Sequence, residues 1–128
     1  MGLLKWILGC SQKNGKRGTV DYNAHKMRKK YPLTQGGYFG KKGENRRVIY
    51  SENQYKESKR FYSKVSKGGR QKTNPNGRIK QKIMKDDGVV TYREKTSTKD
   101  SPAVDFGKMK GQVKNQRIHF IKKENDDD

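Results

Sequence analysis

Apolar residues are sparse in this chain, and between Arg46 and Lys123 they gather into short runs with readable spacing. Arg46–Tyr50 (RRVIY) predicts a short strand. Beyond it, Tyr55, Ser58, Phe61, Tyr62 and Val65 recur at the spacing of one helical face, while Lys56, Lys59, Arg60, Lys64 and Lys67 occupy the other. Ser51 followed by Gln54 offers a capping-box start for that helix, and Gly68-Gly69 offer its stop. Past a turn at Thr73–Gly77 the period shortens to two. Arg78–Lys85 sets Ile79, Gln81 and Ile83 against Lys80, Lys82 and Met84, and Asp86-Asp87-Gly88 is a hairpin connection into Val89–Lys95. A polar loop closed by Pro102 leads to a strand at Ala103–Phe106. A basic, glycine-containing loop then leads to the last strand, Gln116–Lys123.

A helix followed by strands with hairpin-length connections predicts an α+β domain, with one main helix packed on a four-stranded antiparallel sheet. One sheet face would lie under the helix and the other would stay wet and basic. Residues 1–45 read differently. Gly, Lys, Arg, Asn and Gln dominate after a short apolar start, which predicts a basic, mostly irregular segment with a helical turn near Asp21–Lys29. The expected division is thus 1–45 as a basic N-terminal segment, 46–123 as a compact α+β domain and 124–128 as an acidic tail.

Charge changes the picture from fold to partner. The 128 residues carry 32 Lys and Arg against 13 Asp and Glu, a formal charge of +19. Such self-repulsion opposes compaction and calls for a polyanionic partner, with nucleic acid foremost and an anionic membrane surface or an acidic protein as rivals. The lone cysteine, Cys10, excludes an internal disulfide and fits a reducing compartment. The run Leu3–Leu8 is too short for a membrane span or a secretory signal, so no stable membrane insertion is expected. Gly2 opens a myristoylation-like start, but position 6 is Trp6 rather than Ser or Thr, which favours a packing segment over a lipid anchor.

No metal or cofactor motif is present: the chain has no CxxC, HExxH, Walker A or dinucleotide fingerprint, and its two histidines, His25 and His119, lie far apart in sequence. Neither a cofactor nor a metal is therefore expected. Metal-free RNA cleavage needs a base for the ribose 2′-OH, a cation for the phosphorane and an acid for the leaving 5′-oxygen. His119 lies mid-strand beside Arg117, on the face opposite Ile118 and Phe120, as a candidate acid or base. Arg93, sharing a face with Thr91, is a candidate phosphate clamp or an ion-pair partner. Lys80 and Lys82 offer charge, Ser97 and Thr98 offer hydroxyls to a phosphate or to a turn, and Glu94 and Asp105 are strand carboxylates. Arg78, Arg117, Lys59 and Arg60 complete the expected nucleic-acid-binding set.

The segments Asn76-Gly77-Arg78, Asp87–Arg93, Ser101–Asp105 and Ile118-His119-Phe120 resemble C-terminal toxin domains of bacterial polymorphic toxin systems, over roughly Gly36 to Lys123. That resemblance implies a barnase–EndoU–colicin–RelE-like fold and metal-free RNA cleavage. It points to Tyr92, Arg93, Ser97, Ser101, Asp105 and His119 as site residues. It further implies action in the cytoplasm, on tRNA or rRNA, after delivery by a secreted system, and an acidic immunity protein that covers the basic face. The expected function is a metal-independent ribonuclease of this toxin type. The alternative is a non-catalytic RNA- or DNA-binding protein of phage or mobile-element origin.

Overall fold

The computed structural model describes residues 15–72 and 78–124. The expectations for Leu3–Leu8, Cys10, the Thr73–Gly77 turn and the acidic tail beyond Glu124 lie outside the described residues. In chain order the elements are α1 (Val20–Lys26), β1 (Lys41–Gly43), β2 (Arg46–Ser51), α2 (Gln54–Val65), β3 (Arg70–Gln71), β4 (Ile79–Ile83), β5 (Val89–Arg93), β6 (Ala103–Gly107) and β7 (Gln116–Lys122). The strands form one mixed sheet in the order β1-β2-β7-β6-β5-β4-β3.

This corrects the expected architecture of one main helix on a four-stranded antiparallel sheet. The antiparallel run β4-β5-β6-β7 exists, but it is the middle of a seven-stranded sheet, and two short helices accompany it among the described residues. The missing strands gave little pattern. β1 is Lys-Lys-Gly, with no apolar alternation, and is paired to β2 by a tight turn at Glu44-Asn45 in which Asn45 takes a φ of 59°. β3 is two residues long, paired to Ile83 and Lys82. β2 joins β7 in parallel, with Val48 opposite His119 and Ile49 opposite Phe120. That partnership spans most of the chain, and local periodicity cannot express it.

The helix α2 lies under the sheet because its apolar stripe matches the inward positions of the central strands. Phe61 meets Tyr31 and Phe39 edge-on at 5.0 and 5.1 Å between ring centroids, and lies 5.4 Å from Phe120. Val90, Tyr92, Val104, Phe106, Ile118 and Phe120 form the sheet side of this core. Val20, Ala24, Met27, Tyr31 and Phe39 close it from residues before 46. The helix start also differs from the capping box expected at Ser51. Asn53 is the N-cap, accepting from the Lys56 N–H at 3.1 Å, while Ser51 ends β2 and its hydroxyl reaches Glu57. Gln54 is buried instead and donates to the Asp100 carbonyl at 3.1 Å, tying α2 to the loop between β5 and β6.

Candidate active site

Sheet register decides which side chains share the face away from α2. On β7 these are Arg117, His119 and Ile121, since Ile118 and Phe120 point into the core. Asp105 pairs with Arg117 and Thr91, while Ala103 pairs with His119 and Arg93. Thr91 pairs with Gln81 on β4, and Val48 of β2 pairs with His119. A polar band therefore crosses the sheet, with His119, Arg117, Asp105, Arg93, Thr91 and Gln81 all on this face.

Asp105 holds two arginines. Arg117 donates from Nε at 2.6 Å and from a terminal nitrogen at 3.1 Å, and Arg93 donates from Nε at 2.8 Å. One carboxylate between two guanidiniums leaves a net positive charge on the band. Gln81 donates to the Thr91 hydroxyl at 2.9 Å, extending the hydrogen bonding to β4.

His119 lies beside this pair, only 4% exposed. Its Nδ1 is 2.8 Å from the hydroxyl of Ser101, which is equally buried. Burial lowers the imidazole pKa below its usual 6.5, Arg46 and Arg117 push it the same way, and Asp105 opposes them. Burial thus favours the uncharged imidazole, and the serine hydroxyl engages one of its two nitrogens.

Arg46, at the start of β2, reaches across to the loop between β5 and β6 and donates to the Thr98 hydroxyl at 2.8 Å. That loop is internally tied: the Thr96 hydroxyl donates to the carbonyls of Thr98 and Ser101 and accepts from the Thr98 N–H. Arg46 is the residue here that the strand pattern does not single out. It arrives only through the parallel pairing of β2 with β7, and its one local sign is its place in an Arg-Arg doublet at the start of a strand.

The remaining candidates separate by place. Thr98 joins Arg46, whereas Ser97 is exposed in the same loop with no contact to His119 among the hydrogen bonds of the site. Tyr92 is 1% exposed on the core side, its ring 5.8 Å from that of Tyr62, so it does not face His119. Burial raises the pKa of both phenols, that of Tyr62 to about 12. Lys80 and Lys82 pair with Tyr92 and Val90 and so point to the helix side, with Lys82 Nζ 5.7 Å from the Tyr62 ring centroid. Lys82 and Arg93 therefore cannot grip one phosphate together, since they stand on opposite faces. Lys59 and Arg60 are exposed on the outer face of α2, again across the sheet from His119. Arg78 is exposed just before β4, its carbonyl accepting from the Glu94 N–H at 3.0 Å.

Among the described residues, no three His, Cys, Asp or Glu side chains cluster as metal ligands, and no helix is long and apolar enough to cross a membrane. No protein-family model, no curated protein and no solved structure matches this chain.

Proposed function

We propose that this protein is a metal-independent ribonuclease of the bacterial toxin type that cleaves RNA by attack of the ribose 2′-OH on the adjacent phosphodiester. The observation that carries the reading is a buried histidine hydrogen-bonded to a buried serine on the same sheet face as Arg93 and Arg117 and close to Arg46. His119 takes the 2′-OH proton through the nitrogen that Ser101 does not hold. Arg46, Arg93 and Arg117 receive the negative charge that builds on the phosphorane, and guanidinium forks suit its oxygens. The leaving 5′-oxygen takes its proton from water. Entry of a phosphate exchanges the Thr98 hydroxyl for a phosphate oxygen as the Arg46 partner, a stronger, charge-assisted bond. The formal charge of +19 supports RNA as the substrate, with tRNA or rRNA and an acidic immunity protein as the expected partners.

A second reading is favoured by one feature of the same site. His119 is nearly inaccessible, as a histidine that only braces β7 against the β5–β6 loop would be. In that case the basic surface binds RNA without cutting it. Incubation of the purified chain with total tRNA and rRNA in excess EDTA separates the two, with His119→Gln beside the wild type and thermal unfolding recorded for both. Discrete cleavage by the wild type that is lost in a folded His119→Gln protein supports the ribonuclease. RNA that is shifted on a native gel yet intact supports the binding protein. Cleavage that persists in the variant removes His119 from the mechanism.

A further inference from the structure

On the helical side of the sheet, a cavity of about 630 Å³ opens where the ends of both helices meet the chain leading into α1. Arg17, Lys26, Lys64 and Lys67 line it together with Tyr22, and none of the described residues around it is a carboxylate. The crowding is built by the backbone. Gly18 and Gly68 both have positive φ, and a Cβ on Gly68 would stand 2.9 Å from the Gly18 Cα. Only glycine permits that approach, and it sets Arg17 and Lys67, the residues just before each glycine, beside one another.

Lysines in the last turn of a helix commonly complement its carbonyl end, which would account for Lys26 and Lys64. Here the end of α2 is already served by a neutral group: the Asn23 amide donates to the carbonyls of Val65 and Lys67 at 2.8 and 3.0 Å. Among the described residues, Arg17 has the neutral Tyr22 hydroxyl as its hydrogen-bond partner, and Lys26 Nζ stands 5.8 Å from the Tyr22 ring centroid. Four cations thus line one cavity, and among the described residues lining it no carboxylate balances their charge.

We infer that this cavity is a second phosphate-binding site, which holds the backbone of an RNA strand on the side of the sheet opposite His119. The inference takes its ligand from the RNA reading above but not its chemistry, since holding a strand requires no cleavage. An RNA reaching both sites must wrap the edge of the sheet, so a substrate of several nucleotides engages the cavity and a dinucleotide does not.

The test uses the full chain and a 2′-fluoro 12-mer of RNA, which lacks the attacking hydroxyl and reports binding alone. The variant Arg17→Gln/Lys64→Gln/Lys67→Gln is compared with Lys41→Gln/Lys42→Gln/Lys122→Gln, which removes the same charge elsewhere. The first is expected to weaken binding at least tenfold and to reduce the dependence of log K on log salt by about 2, since each phosphate contact on a single strand contributes about 0.7. The second should change both quantities much less. Equal losses in the two variants would reduce the effect to net charge, and an unchanged first variant would remove the site. Anionic phosphatidylserine vesicles form a separate arm. Flotation abolished by the first variant while RNA binding persists would assign the cavity to lipid phosphate and overturn the inference. Absence of any cleavage by the wild type, with the RNA result as expected, would retire the ribonuclease and leave the site standing.

Discussion

The Ser101 hydroxyl stands 2.8 Å from Nδ1 of His119, with both side chains buried. A hydrogen bond in such a place orients the ring and serves either tautomer, because the serine either donates to Nδ1 or accepts its proton. Only the second arrangement leaves the other nitrogen bare to receive the 2′-OH proton. Ser101→Ala should therefore slow cleavage by about tenfold or more, equivalent to about 1.4 kcal/mol, and should displace the pH–rate profile. A serine that merely packs would lower thermal stability and leave the pH profile in place.

The lowered pKa of His119 makes a statement about stability. The unfolded chain protonates this histidine near 6.5, whereas the folded chain resists until lower pH. Its contribution is fully present above about 6.5 and is lost as pH falls from there through the folded-state pKa. His25, also lowered by burial and by Arg28 and Lys26, acts in the same direction from a more open position. Denaturant unfolding of the wild type should show stability falling between pH 7 and pH 5, and His119→Gln should flatten that slope. An equal slope in the variant would assign the acid sensitivity to other groups.

Arg46 and Thr98 offer a separate handle on the candidate site. Thr98→Val removes the acceptor and frees the guanidinium, while Arg46→Ala removes the cation. Arg46→Ala is expected to lower cleavage by about a hundredfold or more, a typical loss for a transition-state charge ligand. Thr98→Val should leave cleavage within about threefold or raise it, because phosphate replaces the threonine in any case. Equal damage from both substitutions would mean that the contact is a structural strut.

Tyr92 tests the sidedness of the sheet. The resemblance to toxin domains points to it, yet it lies in the core, on the face opposite His119. Tyr92→Phe keeps the ring and removes the hydroxyl. Cleavage should stay within about twofold of wild type, equivalent to about 0.4 kcal/mol. A large loss would overturn the assignment of the active face. Phe61→Ala probes the same core from the helix and, by emptying a site that contacts four aromatic rings, should cost about 3–5 kcal/mol in unfolding free energy.

Period-two alternation made β4 to β7 legible as strands, although Thr91, Ala103 and His119 are buried on the face away from α2 as well. The stripe through Phe61, Tyr62 and Val65 made α2 legible at helical spacing. Alternation placed His119 with Arg117 on one face of β7, whereas only the cross-strand register shows that Arg93 shares that face and that Lys82 does not. What stayed hidden was whatever depended on distant partners. The Lys-Lys-Gly of β1 has no pattern of its own, and Val48 could not announce His119 as its neighbour. Arg46 was invisible as a site residue for that reason. Asn53 displaced Ser51 as the cap because Ser51 was needed in the last position of β2, two residues sooner.

The position of β7 has a consequence for how the molecule is assembled. It is the latest strand in chain order, yet it stands between β2 and β6, and no other strand joins the β1-β2 hairpin to the β3–β6 meander. Until residues 116–122 are made, the β1-β2 hairpin and the β3–β6 strands lack the strand that lies between them in the sheet. His119 and Arg117 ride on that closing strand, so the residues proposed to do the chemistry come together only in the step that completes the fold. An unfinished chain lacks the strand that carries both side chains, so the proposed site is assembled only after synthesis has passed β7.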